Sequence, residues 1–296
     1  MASSAQVSFR SDGKRVAGIF RLPGRGRKGL PCVVINHGYS GFKEEYDDCA
    51  AALNRAGYAT LQFDSRGCGE SDAPLGRMMA SQWTEDADAA VTWARSQPSV
   101  DPGRIGFTGC SLGGAMALYA AAHDRRVRSV VEMSAFSDGR VQLEEAWTAR
   151  RGAQAWKEFL AALEQDAVQG VCGQPSRTIS VPDALAMRRQ DHDDYMNDRR
   201  GKPGLVTEVP FESVRSAIYN FRPILWVDKI ESPVMVLHGS ADAIVLPYHA
   251  RVIHEALRCR KELVMIPDAP HPLPLYEGRK AVFAYMVRWF EETLSP

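Results

Sequence analysis

A run of small residues, GCSLGG at 109–114, places a cysteine and a serine side by side between glycines. Ser111 fits the pattern G-x-S-x-G, which is typical of a nucleophilic serine on a sharp turn between a strand and a helix. Cys110 would have Thr108 and Leu112 at the flanking positions, and these side chains would crowd such a turn. We therefore expect Ser111 to be a nucleophile for acyl chemistry and Cys110 to be a buried packing residue.

A serine hydroxyl needs a base within hydrogen-bond reach and an acid that orients the base. On a strand–turn–helix nucleophile the chain order is serine, acid, histidine. Asp242 follows the strand-like segment VMVLHG, and His271 lies in the proline-rich loop after the next such segment. The sequence therefore predicts a triad of Ser111, Asp242 and His271. Asp268 and Glu132 are the alternative acids.

The same chemistry requires two N–H groups that hold the oxyanion. One should belong to Leu112, which follows the nucleophile, and the other to Tyr39 in the segment HGYSG. His37 in that segment is interpreted as a brace for the loop. The side chains that could line an acyl pocket are Tyr39, Met133, Trp147, Met187 and Trp226.

These residues need a scaffold that brings distant loops together. Continuous apolar runs alternate with helical patterns in the first 136 residues and again after residue 229. The strand-like segments are 6–11, 15–23, 31–38, 58–64, 104–109, 127–136, 233–239 and 261–267. This alternation predicts an α/β fold with parallel pairing and with the site at the carboxyl ends of the strands.

The middle of the chain has a different pattern. From 137 to 228 the strand signal is absent and helical patterns dominate, including one that begins with Ser180 as a cap. The sequence therefore predicts a core of 1–136 and 229–296 and a helical cap of 137–228. The cap carries a run of basic residues that could meet an anionic substrate or an acidic carrier protein, namely Arg188, Arg189, Arg199, Arg200 and Lys202.

The segments HGYSG, FDSRGCGESD, GCSLGG, HGSAD and PDAPHP together resemble the α/β-hydrolase superfamily, in particular its esterase and dienelactone-hydrolase-like branch. The resemblance covers 10–136 and 229–293. It implies a central, mostly parallel eight-stranded sheet, a lid above the serine and acyl chemistry without a cofactor. Hydrolysis of an ester is the expected reaction. A thioesterase or an acyltransferase of a natural-product pathway, acting on a carrier-bound acyl group, is the alternative.

Composition excludes several other classes. The chain has 36 basic and 36 acidic residues, so no net charge favours nucleic acid or an anionic membrane. No apolar run is long enough to span a bilayer and no signal peptide is evident, so we expect a cytoplasmic protein. The six cysteines form no metal-type cluster. We expect no metal or cofactor and a small acyl substrate. The sequence leaves the oligomeric state open, with a dimer as one option.

Two further patterns are interpreted as unrelated to function. GRGRKG at 24–29 matches a dinucleotide-binding pattern, but it precedes a strand instead of following one, so we predict a surface turn. DHDDY at 191–195 contains metal-type side chains but has no second group of ligands elsewhere in the sequence.

Overall fold

The computed structural model describes residues 3–24, 28–188 and 204–294, and an eight-stranded sheet forms its centre. The strand order is β1-β2-β4-β3-β5-β6-β9-β10. β1 and β2 join this sheet antiparallel, and the other strands are parallel. The strands of the sheet are β1 (Ser3–Ser11), β2 (Lys14–Leu22), β3 (Leu30–Asn36), β4 (Ala59–Phe63), β5 (Val100–Cys110), β6 (Val127–Met133), β9 (Val234–Gly239) and β10 (Lys261–Ile266). The predicted fold class is confirmed.

Helices cover both faces of the sheet. They are α1 (Asp47–Arg55), α2 (Ala80–Arg95), α3 (Leu112–His123), α4 (Gly139–Arg151), α5 (Ala153–Val171), α6 (Tyr248–Ala256) and α7 (Arg279–Thr293). Short helical turns lie at Lys43–Tyr46, Val181–Ala184, Phe211–Ser213, Val214–Tyr219, Pro223–Leu225, Val227–Lys229 and Leu273–Leu275.

The central strand β3 shows why the sheet has two apolar faces. Val34 belongs to a buried cluster that includes side chains of α2 and α3. Val33 and Ile35 belong to a second cluster that includes side chains of α1 and α7. Because successive side chains of a strand point to opposite faces, a continuous apolar run buries both sides of the sheet.

The segment between β6 and β9 differs from its prediction in two respects. We expected no strands there, and this was wrong, because β7 (Thr178–Ser180) and β8 (Glu208–Pro210) form an antiparallel pair. Ser180 does cap a helix by accepting a hydrogen bond from the Asp183 N–H. That helix is short and ends at Ala184, whereas the sequence predicted mainly helical structure from 137 to 228. The division at 137 and 228 stays a prediction.

Several contacts attach this segment to the core, and two of them lie beside α2. The Met78 N–H donates to Ser213 Oγ at 2.9 Å, and Arg77 Nε lies 2.8 Å from Glu212 Oε1.

Some of the sequence predictions fall outside the described residues. These are the segment 191–195, three residues of 24–29, and four of the five basic cap residues. The fifth, Arg188, is described and exposed. Within the described ranges, no helix combines the length and apolar character that crossing a membrane requires.

Candidate active site

Ser111 lies on the turn between β5 and α3. Its backbone has φ 58° and ψ −123°, a conformation that non-glycine residues rarely adopt. The Ser111 N–H donates to the carbonyl oxygen of Met133 at 2.8 Å. A backbone strained in this way persists only where the surrounding structure fixes it, and such backbone strain is frequent at catalytic residues.

Two glycines allow this turn to form against the end of β3. A Cβ at Gly109 would lie 2.5 Å from the backbone of Gly113 and 2.6 Å from the carbonyl oxygen of Asn36. A Cβ at Gly113 would overlap the carbonyl oxygens of Asn36 and His37. The G-x-S-x-G pattern predicts small residues at these positions, and the close approach of β3 explains why.

Asp242 and His271 are joined by a hydrogen bond. His271 Nδ1 lies 2.8 Å from Asp242 Oδ2. The other oxygen of Asp242 accepts hydrogen bonds from the N–H groups of Ile244 and Val245, at 2.9 and 2.8 Å. The carboxylate, which is buried, is therefore held from two sides, and one side faces the imidazole.

The surroundings of Asp242 keep it ionised. Burial by itself would raise its pKa, but the electrostatic interaction with His271 and the hydrogen bonds from His238 and His271 outweigh burial and lower the pKa. His238 Nε2 donates to the Val245 carbonyl oxygen at 2.9 Å and lies 3.4 Å from Asp242 Oδ2. The sequence analysis did not identify this contact, although His238 precedes Asp242 by one tight turn.

Among the described residues, neither alternative acid is hydrogen-bonded to His271. Glu132 is fully buried, its Oε2 accepts from the Ala135 N–H at 2.9 Å, and burial raises its pKa to about 8. Asp268 is exposed, and its N–H donates to Ser240 Oγ.

A cavity of about 760 Å³ contains both Ser111 and His271 in its wall. Within the described part of the chain, the Ser111 hydroxyl has no hydrogen-bond partner. Transfer of its proton to His271 therefore requires a change of geometry that brings the hydroxyl into hydrogen-bond contact with the imidazole. In ligand-free sites such hydrogen bonds often tighten only when substrate binds.

The predicted oxyanion donors, Tyr39 and Leu112, also line this cavity. Leu112 is the first residue of α3, where backbone N–H groups have no partner within the helix. The loop that carries Tyr39 abuts the nucleophile turn, since a Cβ at Gly38 would lie 3.1 Å from the Cys110 carbonyl oxygen.

His37 braces the Tyr39 loop. Its Nδ1 donates to the Gly38 carbonyl oxygen at 2.8 Å, and its Nε2 accepts from the Ser65 N–H at 3.0 Å. A carbonyl can only accept and an N–H can only donate, so His37 is held as a neutral imidazole.

The cavity wall contains only part of the predicted lining. Met187 and Tyr39 line it. Met133 is fully buried and does not belong to the wall. Trp147 stacks on Phe159, with ring centroids 4.1 Å apart. Trp226 packs against Tyr119. Spacing along a helix shows which side chains share a face, but not whether that face meets the cavity or the interior.

Sequence reasoning also missed a buried ion pair beneath the Tyr39 loop. Lys43 Nζ lies 2.8 Å from Asp64 Oδ2, and both side chains are inaccessible to solvent. Asp64 Oδ1 accepts from the Lys43 N–H at 2.7 Å. The segment FDSRGCGESD, which contains Asp64, therefore stabilises the backbone that follows Tyr39.

In the described ranges, no group of three histidine, cysteine or acidic side chains could hold a metal ion.

Comparisons with known proteins place the chain in a family. Residues 12–271 match the family described as X-Pro dipeptidyl-peptidase (S15 family). The chain is 30% identical to an uncharacterized 31.7 kDa protein in the traX-finO intergenic region of Escherichia coli, covering 94% of this chain and 96% of that protein.

Two further proteins are similar over nearly their whole length. Polyketide transferase claH of Penicillium crustosum is 36% identical, covering 100% of this chain and 99% of claH. The α/β hydrolase GrgF from Penicillium sp. sh18 has a similar structure, with a TM-score of 0.81 at 19% identity and 99% coverage of both chains. With this fold and this family match, the chain is a hydrolase-type enzyme that belongs to the X-Pro dipeptidyl-peptidase (S15) family of the α/β-hydrolase superfamily.

Proposed function

We propose that the protein is a serine hydrolase that cleaves an ester-type acyl bond through an acyl-enzyme on Ser111. The observation that carries the proposal is the hydrogen bond between the buried, ionised Asp242 and His271, which lines the same cavity as Ser111. A paired imidazole is the base that a serine hydroxyl needs.

In the first half of the reaction, His271 Nε2 takes the proton of the Ser111 hydroxyl as Oγ attacks the acyl carbon. The N–H groups of Leu112 and Tyr39 hold the oxyanion that forms. His271 then gives the proton to the leaving alcohol oxygen, the ester bond breaks, and the acyl group stays on Ser111. Asp242 remains ionised and stabilises the charged imidazole.

In the second half, His271 takes a proton from water, and the resulting hydroxide attacks the acyl carbon. His271 returns the proton to Ser111 Oγ, and the acid leaves. No step requires a metal or a cofactor.

The decisive experiment combines turnover of small aryl esters with labelling by a fluorophosphonate probe. We expect Ser111→Ala to abolish both. Cys110→Ala is the matched control, because Cys110 is the adjacent buried side chain, and it should still be labelled. Full activity of Ser111→Ala would contradict the proposal. A proline-containing peptide anilide in the same panel determines whether the protein prefers esters or X-Pro amides, the substrates that the family's description names.

A second candidate function is acyl transfer, in which an alcohol, an amine or a carrier thiol replaces water. It is favoured by the full-length similarity to a protein named polyketide transferase. Mass spectrometry of the products, with and without an added acceptor, separates the two reactions. For the carrier-bound form we propose an acidic carrier protein as partner. High salt should then weaken turnover of the carrier-bound substrate but not of a free aryl ester.

A further inference from the structure

The cap contributes one polar side chain to the cavity wall in the described part of the chain. Gln142, on the second turn of α4, is only 4% exposed. The other cap side chains in the wall, Leu185, Met187 and Ile218, are apolar. A buried amide on an otherwise apolar surface needs hydrogen-bond partners, because an unpaired one costs free energy.

The orientation of the Gln142 amide is chemically fixed. Its Nε2 donates to the Ile244 carbonyl oxygen at 2.8 Å. Since a carbonyl oxygen only accepts, the nitrogen must be the atom at this contact and Oε1 must point away from it. Among the described residues Oε1 accepts no hydrogen bond, and it is not one of the solvent-inaccessible unpaired atoms. Because Gln142 lines the cavity, we infer that this accessible oxygen faces it.

The backbone beneath Gln142 is held by hydrogen bonds and an ion pair. Asp138 caps α4 by accepting from the N–H groups of Arg140 and Val141, and its carbonyl oxygen accepts from the Gln142 N–H at 3.0 Å. Arg222 Nε lies 2.7 Å from Asp138 Oδ2. The amide oxygen is therefore a preorganised acceptor, which reduces the entropy cost of binding.

We propose that Gln142 is a specificity-determining residue that selects acyl groups bearing a hydrogen-bond donor, a hydroxyl or an N–H group, at a carbon away from the carbonyl. This inference rests on the proposed function. An unsubstituted acyl chain that fills the cavity displaces water from Oε1 and leaves a buried acceptor unpaired. Sites built to hydrogen-bond a substrate group discriminate against analogues that lack it.

The experiment compares kcat/KM for p-nitrophenyl esters in matched pairs. The acyl groups are hexanoyl chains with a hydroxyl at C3, a hydroxyl at C6 or an acetamido N–H at C6. Each partner carries a methyl group on the donor atom, so that it can only accept. We expect at least one donor-bearing ester to exceed its methylated partner by about 10-fold in the wild-type protein. The ester pair that shows this difference indicates whether the preferred donor is a hydroxyl or an amide N–H.

Gln142→Leu should bring that ratio close to one. The ratio is the readout because loss of the contact with Ile244 lowers the rates of both members of a pair. Met187→Leu is the matched control, since it changes the apolar wall only, and its ratio should equal that of the wild type.

Ratios near one for every pair in the wild-type protein would overturn the inference, even if Gln142→Leu does not fold. A ratio that persists in a folded Gln142→Leu protein would also overturn it. Calorimetric binding of the same acyl groups as N-butyl amides to Ser111→Ala repeats the comparison without turnover. Lack of ester hydrolysis with retained discrimination in binding would therefore contradict the proposed function and support the role of Gln142.

Discussion

His271 Nδ1 lies 2.8 Å from Asp242 Oδ2, and this single contact determines which nitrogen of the imidazole can act as a base. Because Nδ1 donates its hydrogen to the carboxylate, Nε2 is left as the acceptor. Asp242 in turn is held by two backbone N–H groups. The tautomer of His271 is thus set by the backbone of the loop after β9.

Replacing Asp242 by asparagine should lower kcat for aryl esters by about 10³- to 10⁴-fold, because an amide can stabilise the wrong tautomer and cannot stabilise the charged imidazole. The measurement is steady-state kinetics with circular dichroism to verify the fold. Asp268→Asn is the matched control, since Asp268 lines the same cavity but is exposed, and it should stay near the wild-type rate. The reverse ranking of the two variants would mean that the acid has been wrongly assigned.

Gly113→Ala should destabilise the protein by about 1–3 kcal/mol, because its Cβ has no room beside the end of β3. Labelling by a fluorophosphonate should also slow, as the nucleophile turn must shift. Gly170→Ala is the control, because a Cβ there meets no atom within 4 Å and alanine favours a helix. Thermal unfolding of both variants checks this. Equal melting temperatures for Gly113→Ala and the wild type would show that the turn can relax.

Glu132 should make stability fall as the pH rises. Burial raises its pKa from 4.5 to about 8, so the folded protein keeps a proton that the unfolded chain loses in this interval. The contribution of this group is complete below about pH 4.5 and is lost as the pH rises through about 8, with a slope of up to about 1.4 kcal/mol per pH unit.

Glu132→Gln should remove that slope, because an amide does not ionise. Urea unfolding at pH 5 and pH 8 should then show that the free energy of unfolding of Glu132→Gln, relative to that of the wild type, increases as the pH rises. Glu231→Gln, at an exposed ion pair with Arg125, serves as the control and should follow the wild type. Parallel curves for Glu132→Gln and the wild type would show that the buried carboxyl ionises normally.

Asp64→Ala should cost about 3–5 kcal/mol of stability, because it leaves the Lys43 ammonium without its buried partner. Lys43 also contacts Glu44 and Glu70, but both of those carboxylates are partly or largely exposed. Removing the exposed partner of Lys43 with Glu70→Ala should cost less than about 1 kcal/mol. Urea unfolding compares the two variants. Similar losses would mean that the buried carboxylate is not the principal support of the loop.

The scaffold was predictable because its signals are local. Every strand of the central sheet has a continuous or alternating apolar run, and Ser111 has glycines at the two positions where the turn meets β3. The contact between Asp242 and His271 was predictable from chain order alone, because the carboxyl ends of parallel strands meet at one edge.

The cap was less predictable because its structure depends on contacts between distant segments. β7 and β8 are three residues each, too short to give an alternating pattern, and they form only by pairing with each other. The helix after Ser180 has a normal start signal, but it ends at Ala184, and Ala186 has φ 49°, a conformation outside the helical region. Gln142 could not be found from sequence, because helical spacing does not show which residue of α4 faces the cavity.

One residue, Ile244, connects Gln142 in the cavity wall to Asp242. Its carbonyl oxygen accepts from Gln142 Nε2, and its N–H donates to Asp242 Oδ1. Substrate range and turnover are consequently not independent traits in this protein. A substitution selected at Gln142 for a broader range of substrates also releases the peptide unit that fixes the acid, so that broader range comes with slower turnover. Directed evolution that restores the rate should find its second change in the segment 241–245.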